Sequence, residues 1–284
     1  MQPSRLMDNW SQHRRRRWIH QENRILGDQM SEEQPKRVDA YLVAGGRFHD
    51  IDFARLELLK LLSEHPHVRV TVGSDYEDID AIMASSLLIS YTIDVRPSEE
   101  AQLAIRDWVN DGGRFLALHG TNSAIDFNPP NPVGSPRCFP IWAELLGSQF
   151  ISHPPIAPFP VTMSNPDHWL VKGIEPFETD DELYLSEYHD RDSLEPLMHT
   201  EWSGDTPGFE DADWNDCDPI HLIMYLKSHG KGKILYNNLG HARGHWDMTE
   251  AVEYYPKIER GSWEVPQYYE LLRRGIRWGL GEEG

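Results

Sequence analysis

The sequence predicts an α/β fold, a central and mostly parallel sheet with helices on both faces. Three observations point to it. Apolar runs of strand length recur at Val38 to Val43, Ser86 to Tyr91 and Arg114 to Leu118. Segments of helical spacing separate them. The strand runs are mostly apolar rather than alternating, as strands covered on both faces are.

In chain order, Val38 to Val43 is a buried strand that runs into Gly45-Gly46, a turn signal. Asp52 to Leu62 sets Phe53, Leu56, Leu59 and Leu62 at helical spacing, and Val68 to Val72 is a short strand. After the strand Ser86 to Tyr91, Pro97-Ser98-Glu99-Glu100 opens a helix, with Ser98 as N-cap and carboxylates in its first turn. That helix carries Leu103, Ile105, Trp108 and Val109, and it ends at Asp111-Gly112-Gly113 before the strand Arg114 to Leu118. Five prolines make residues 127–140 a loop, and Trp142 to Leu146 is a short helix stopped by Gly147. Tyr184 to Tyr188, Leu197 to Trp202, Ile220 to Leu226 and Ile234 to Leu239 read as strands. Between them, Gly204 to Asp218 carries six acidic residues and reads as a mobile surface loop near the site. The last helix runs from about Tyr268 to Leu280.

Two domains of unequal size follow from the charge pattern. Residues 1–37 hold eight basic and five acidic residues, a net of +3, so with a total of -19 the remainder, 38–284, carries -22. A basic arm on an acidic body suits either an arm that packs on its own domain or on a second subunit, which would make a homo-oligomer, or a loosely ordered tail. The acidic surface repels phosphate backbones and argues against a nucleic-acid partner. No apolar run is long enough to span a membrane. Arg14 to Arg17 precede no apolar segment of the kind a secretory signal needs. The two cysteines, Cys138 and Cys217, suit a reducing cytoplasm better than a disulfide framework.

In open parallel sheets ligands bind beyond the carboxyl ends of the strands, so polar residues there outrank others. His49 and Asp50 follow the first strand and its glycine turn, with Asp50 also fit to cap the next helix. His119 follows the strand ending at Leu118, with Gly120 and Thr121 completing an elbow that projects a side chain into the site. On this reading His119 faces a polar cavity, and its replacement by Ala changes stability little. His153 follows a short β-like run. His241 follows Leu239-Gly240 at the end of another strand, and Trp246 beyond it can stack on a sugar ring or fill the core. Asp181, Glu182 and Tyr184 stand at the head of a strand. Histidines with a carboxylate can bind a divalent metal such as zinc, through His49, His119, His153 and His241, or act as general acid and base without one. The spacing matches no compact metal motif and leaves both open.

In this order, Gly45-Gly46 with His49-Asp50, Leu118-His119-Gly120-Thr121, His153-Pro154, Asp181-Glu182-Leu183-Tyr184, and Gly230-Lys231-Gly232-Lys233 with Leu239-Gly240-His241 resemble the ThuA-like, trehalose-utilisation family over roughly residues 38–280. The resemblance implies a flavodoxin-like, class I glutamine-amidotransferase-like fold in which His119 stands where amidotransferases carry a nucleophilic cysteine. Cys138 and Cys217 lie away from any elbow, which disfavours thiolate chemistry. The resemblance also implies a small carbohydrate substrate, a disaccharide derivative or 3-keto-glycoside. His119 or His241 would then serve as base and Glu182 or Asp181 as acid, in cleavage or isomerisation, with His49, Asp50, Thr121, Tyr184 and Trp246 binding substrate. The alternatives are a metal-dependent hydrolase of another substrate class and a non-catalytic sugar-binding or assembly module.

Overall fold

The computed structural model describes residues 36–249 and 257–282. The chain divides into two compact units, Met1–Arg37 and Val38–Gly284. Apart from Lys36 and Arg37 the basic arm, and with it any subunit contact through it, lies outside the described residues.

The larger unit is built on a nine-stranded sheet. Its parallel half holds β1 (Val38–Gly46), β2 (Val68–Gly73), β3 (Leu87–Ile93), β4 (Arg114–Leu118) and β11 (Gly232–Asn237), in the order β2-β1-β3-β4-β11. The sheet then continues with every pairing antiparallel, through β10 (Ile220–His229), β9 (Leu194–Glu201), β6 (Ala157–Met163) and β7 (Phe177–Asp181). β5 (Ser148–Ser152) and β8 (Leu185–Tyr188) form a separate antiparallel pair. The sheet is therefore mixed, with the expected parallel strands making up one half.

Helices cover the parallel half on both faces, and the pleat sorts the strand residues between them. Ala40, Leu42, Ile89, Leu116 and Leu235 pack in one core with α1 (Ile51–Leu62) and α5 (Pro266–Gly279). Tyr41, Val43, Leu88, Phe115 and Ile234 pack in a second with α2 (Ile79–Met83), α3 (Glu99–Asn110) and α4 (Pro140–Leu146). Local chemistry sets the helix ends. Asp50 caps α1 by accepting from the Phe53 N–H at 3.1 Å. Ser98 caps α3 through the Ala101 N–H at 3.2 Å. Pro266 opens α5 with its φ already helical. Gly279 lets α5 lie on the sheet, since a Cβ there would stand 2.4 Å from Leu87.

The segment 204–218 forms no helix or strand among the elements of the fold, yet its Pro207, Gly208 and Phe209 reach inward to a cavity. Among the described residues no helix is long and apolar enough to cross a membrane.

Candidate metal centre and active site

Four chain segments deliver side chains to one point beyond the carboxyl ends of the parallel strands. At the end of β1, Gly46 adopts φ +116° with its backbone against Ile93, where a Cβ would lie 1.9 Å from the carbonyl oxygen. The turn also holds Phe48 at φ 70° and brings His49 down into the centre. At the end of β4, His119 adopts φ 46° and starts a 3-10 turn over His119–Asn122. Beyond β11, Gly240 at φ +122° lets His241 turn inward, with the Tyr268 hydroxyl where a Cβ would be. Glu182 comes from the link between β7 and β8.

The geometry at that point is tight. His49 Nε2 lies 3.0 Å from His119 Nε2 and 3.0 Å from His241 Nδ1. Glu182 Oε2 lies 3.2 Å from His49 Nε2, 3.2 Å from His241 Nδ1 and 3.7 Å from His119 Nε2. One ligand atom from each residue falls within 4.8 Å of every other, and all four residues are buried. A tetrahedral zinc ion with bonds of about 2.0–2.1 Å separates its ligand atoms by about 3.3 Å, so this spacing fits one. The outer nitrogens fit as well. His119 Nδ1–H donates to the Asn238 carbonyl at 2.9 Å, and His241 Nε2–H donates to Glu259 Oε2 at 2.8 Å. Each of these bonds puts the proton on the far side of the ring and turns a lone pair inward, as partners behind metal-binding histidines do. His49 Nδ1 is buried without a hydrogen-bond partner. The cluster can therefore hold a divalent metal.

The electrostatics agree with the crowding. Burial drives the His49 pKa well below its ordinary value, against the pull of Glu182. Burial pushes the Glu182 carboxyl up, but the flanking basic groups His153, His241 and Arg243 outweigh it and hold the pKa well below the ordinary range. Burial also opposes protonation of His241, yet Glu182 and Glu259 raise its pKa to about 9.

A cavity of about 460 Å³ opens over this cluster. His49, Glu182, His153, Tyr184, Arg243 and Glu259 line it. Neither His119 nor His241 is among the lining residues, and both are fully buried. The polar cavity that the elbow argument put beside His119 is thus replaced by ring packing, with Tyr184 stacked on it at 4.3 Å. His153 meets the outer oxygen of the carboxylate, with Nε2 3.2 Å from Glu182 Oε1. It stands beside the four-residue cluster, and Glu182 takes the fourth place in that cluster. Asp181 is occupied elsewhere. Its carboxylate accepts from the backbone N–H groups of Glu182, Gly240, His241 and Ser262, which pins the loop that carries His241. Asp50 caps α1 and pairs with Arg260 at 3.0 Å. The Thr121 hydroxyl donates within its own turn, to the Leu118 carbonyl at 2.7 Å. Trp246 is 71% exposed and does not line the cavity.

Two residues escaped sequence reasoning. Arg243 joins both carboxylates, with Nη2 at 3.0 Å from Glu182 Oε1 and Nη1 at 2.9 Å from Glu259 Oε2. Its place two residues after His241 was a usable signal. Glu259 had none, because it reaches the site through a bridge between Arg243 and Glu259 that no periodicity announces.

The family described as ThuA, trehalose utilisation, matches residues 27–255. The chain belongs to the ThuA family. Among solved structures it is similar to a ThuA-like protein from Parabacteroides merdae, at 15% identity and a TM-score of 0.63, covering 87% of this chain and 92% of that one. It is also similar to one from Bacteroides uniformis, at 15% identity and 0.61, covering 89% and 95%. At that identity the likeness speaks for the fold. Among curated proteins none matches. Membership of the ThuA family associates the chain with carbohydrate metabolism, and the histidine–glutamate cluster is the part of the structure to which that association must be fitted.

Proposed function

We propose that this ThuA-family chain is an enzyme that cleaves or isomerises a glycoside derivative, in the first instance a 3-keto-glycoside, at a centre where His49, His119, His241 and Glu182 hold a divalent ion such as zinc. One observation carries the reading: three inward-turned imidazoles and a carboxylate meet at the floor of a cavity. We also read the strand order β2-β1-β3-β4-β11 as flavodoxin-like, since it follows the 2-1-3-4-5 pattern whose ligands sit beyond the strand ends. The elbow at His119 fits the amidotransferase-like superfamily, with a histidine at the elbow.

A 3-keto group acidifies the adjacent C–H bond. A divalent ion held by His49, His119, His241 and Glu182 would supply positive charge beneath the cavity, which favours loss of that proton. His153 is the base that reaches the cavity. Burial lowers its pKa, so its imidazole is neutral near pH 7, and Nε2 can take the proton. The freed electron pair becomes a carbon–carbon double bond, the glycosidic C–O bond breaks, and the leaving oxygen recovers the proton from the same nitrogen. Arg243 and Glu259 offer donors and an acceptor to the sugar hydroxyls. His119 and His241 hold the centre from behind, and Asp181 positions the loop.

The test is a panel of 3-keto-glycosides with folded, zinc-replete protein. Turnover is expected, and His153→Gln should lower kcat by about 10²–10⁴-fold while zinc content stays unchanged. No turnover across the panel would sink the keto-glycoside chemistry. Turnover of unoxidised glycosides, esters or amides instead would favour a metal-dependent hydrolase. Binding without turnover, indifferent to changes at His119 and His241, would favour a sugar-binding module.

A further inference from the structure

The cavity has two unlike parts. Every polar side chain that lines it among the described residues belongs to the floor: His49, His153, Glu182, Tyr184, Arg243 and Glu259. The wall above is apolar, with Phe48, Ile125, Phe127, Val133, Ile156 and Phe209 prominent. No Asn, Gln, Asp, Ser, Thr or Lys side chain is among the described lining residues.

This wall is a built surface. The Phe48 and Phe127 rings meet edge to face at 5.7 Å, and Phe209 meets His153 in the same way at 4.8 Å. The proline-rich loop and the acidic segment are clamped together by their backbones. The Val133 N–H donates to the Gly208 carbonyl at 2.7 Å, and the Glu210 N–H donates to the Val133 carbonyl at 3.0 Å. The acidic segment thus turns its Phe209 ring to the cavity while its Asp211 carboxylate pairs with Arg137 at the surface.

A sugar ring carries hydroxyls around its whole edge. On the floor they meet a guanidinium, an imidazole and carboxylates. Against the wall they would lose water and find no side-chain partner, which is unfavourable for each group left unpaired. An apolar ring in the same place gains by leaving water.

We propose that the cavity takes a glycoside with one glycosyl unit on the floor and an apolar, aromatic-sized aglycone against the wall, in preference to a disaccharide. The placement of the glycosyl unit rests on the functional reading above, whereas the wall preference rests on its own residues.

Calorimetric binding to the full chain tests it, with phenyl glucoside, methyl glucoside of the same anomer, and trehalose as probes. The phenyl glycoside should bind about tenfold tighter than either of the others, the return on roughly 60 Å² of apolar surface leaving water. Phe127→Ala should erase most of that advantage and leave methyl glucoside binding unchanged. Val133→Asn, a smaller change in a partly exposed loop, should do the same if the first variant fails to fold. Trehalose bound as tightly as the phenyl glycoside, equal affinity for phenyl and methyl glucosides, or no binding of the phenyl glycoside overturns the proposal. Turnover of the 3-keto forms is read separately: a phenyl preference in binding with no turnover would sink the chemistry proposed above and leave the aglycone preference standing.

Discussion

His119 belongs to the histidine–glutamate cluster without lining the cavity above it. It is fully buried, stacked on Tyr184, and fixed by the Asn238 carbonyl. Its backbone sits at φ 46°, a conformation that asparagine tolerates better than alanine does. His119→Asn should therefore lose stoichiometric zinc while its melting temperature stays close to that of the metal-free wild type. His119→Ala should lose zinc and a further ~2 kcal/mol, because it leaves a cavity among packed rings. Metal analysis paired with thermal melts checks this, and full zinc occupancy in both variants would remove His119 from the centre. A different histidine sets an acid limit. His221 is buried on β10, and its Nε2–H donates to the Trp202 carbonyl at 3.0 Å. Burial lowers its folded pKa below the ordinary value. The unfolded chain thus takes the proton first, so stability is full above about pH 6.5 and is lost as pH falls through the lower folded value. His221→Gln keeps a donor but cannot titrate. Denaturant melts from pH 7 to pH 5 should show a smaller loss for the variant than for the wild type, and parallel losses would count against the assignment.

At the scale of elements, the parallel half was legible, as were β8, β9 and β10, whereas β6 and β7 were not. β1, β3 and β4 are apolar runs because both of their faces are covered, and α1, α3 and α5 have strong caps or periodic apolar faces. β6 carries Pro158 and Pro160, and β7 reads Phe-Glu-Thr-Asp-Asp. Neither pattern signals a strand. Prolines are tolerated in β6 because it meets β9 only at Thr162 and Met163, which leaves the proline stretch to pair with β7 alone. α2 was missed because it has only five residues, too few for periodicity to register. β10 contains one residue that contradicts its surroundings. Lys227 is 8% exposed, with its stem against Gly147, and burial lowers its pKa against weaker support from Glu144 and Asp190. A cation held there costs desolvation energy that a thioether of similar length does not. Lys227→Met should raise stability by about 1 kcal/mol, or about 3 °C in a unit of this size. A fall in melting temperature would mean that the two carboxylates outweigh the desolvation.

At the scale of the molecule, the four residues of the centre lie at positions 49, 119, 182 and 241, on segments that meet only through the fold. That distance is why strand-end logic located the three histidines but could not set Glu182 in the cluster, place His153 beside it, or find Glu259. Each of those depends on loop geometry rather than on strand order. It also makes the centre a cross-link between β1, β4, the β7–β8 link and the loop after β11. An ion bound only by the folded state stabilises it by mass action, about 2.7 kcal/mol when free ligand is a hundred times Kd. For a unit of this size that is a shift on the order of 5–10 °C. Removing metal with a chelator should lower the melting temperature by this amount, and restoring zinc should recover it. When no ion is bound, His241, whose pKa Glu182 and Glu259 raise to about 9, can bridge those two carboxylates as a cation and so offset their repulsion. The metal-free protein should accordingly remain folded with its secondary structure intact, melting earlier but still cooperatively. Glu182→Gln supplies the control: it weakens the site from within, so its melting temperature should respond little to chelator or to zinc. A wild-type melting temperature that ignores both reagents, with no zinc detected after dialysis against it, would show that the cluster works as a proton-sharing network, and general acid–base chemistry by the histidines alone would then be the reading to pursue.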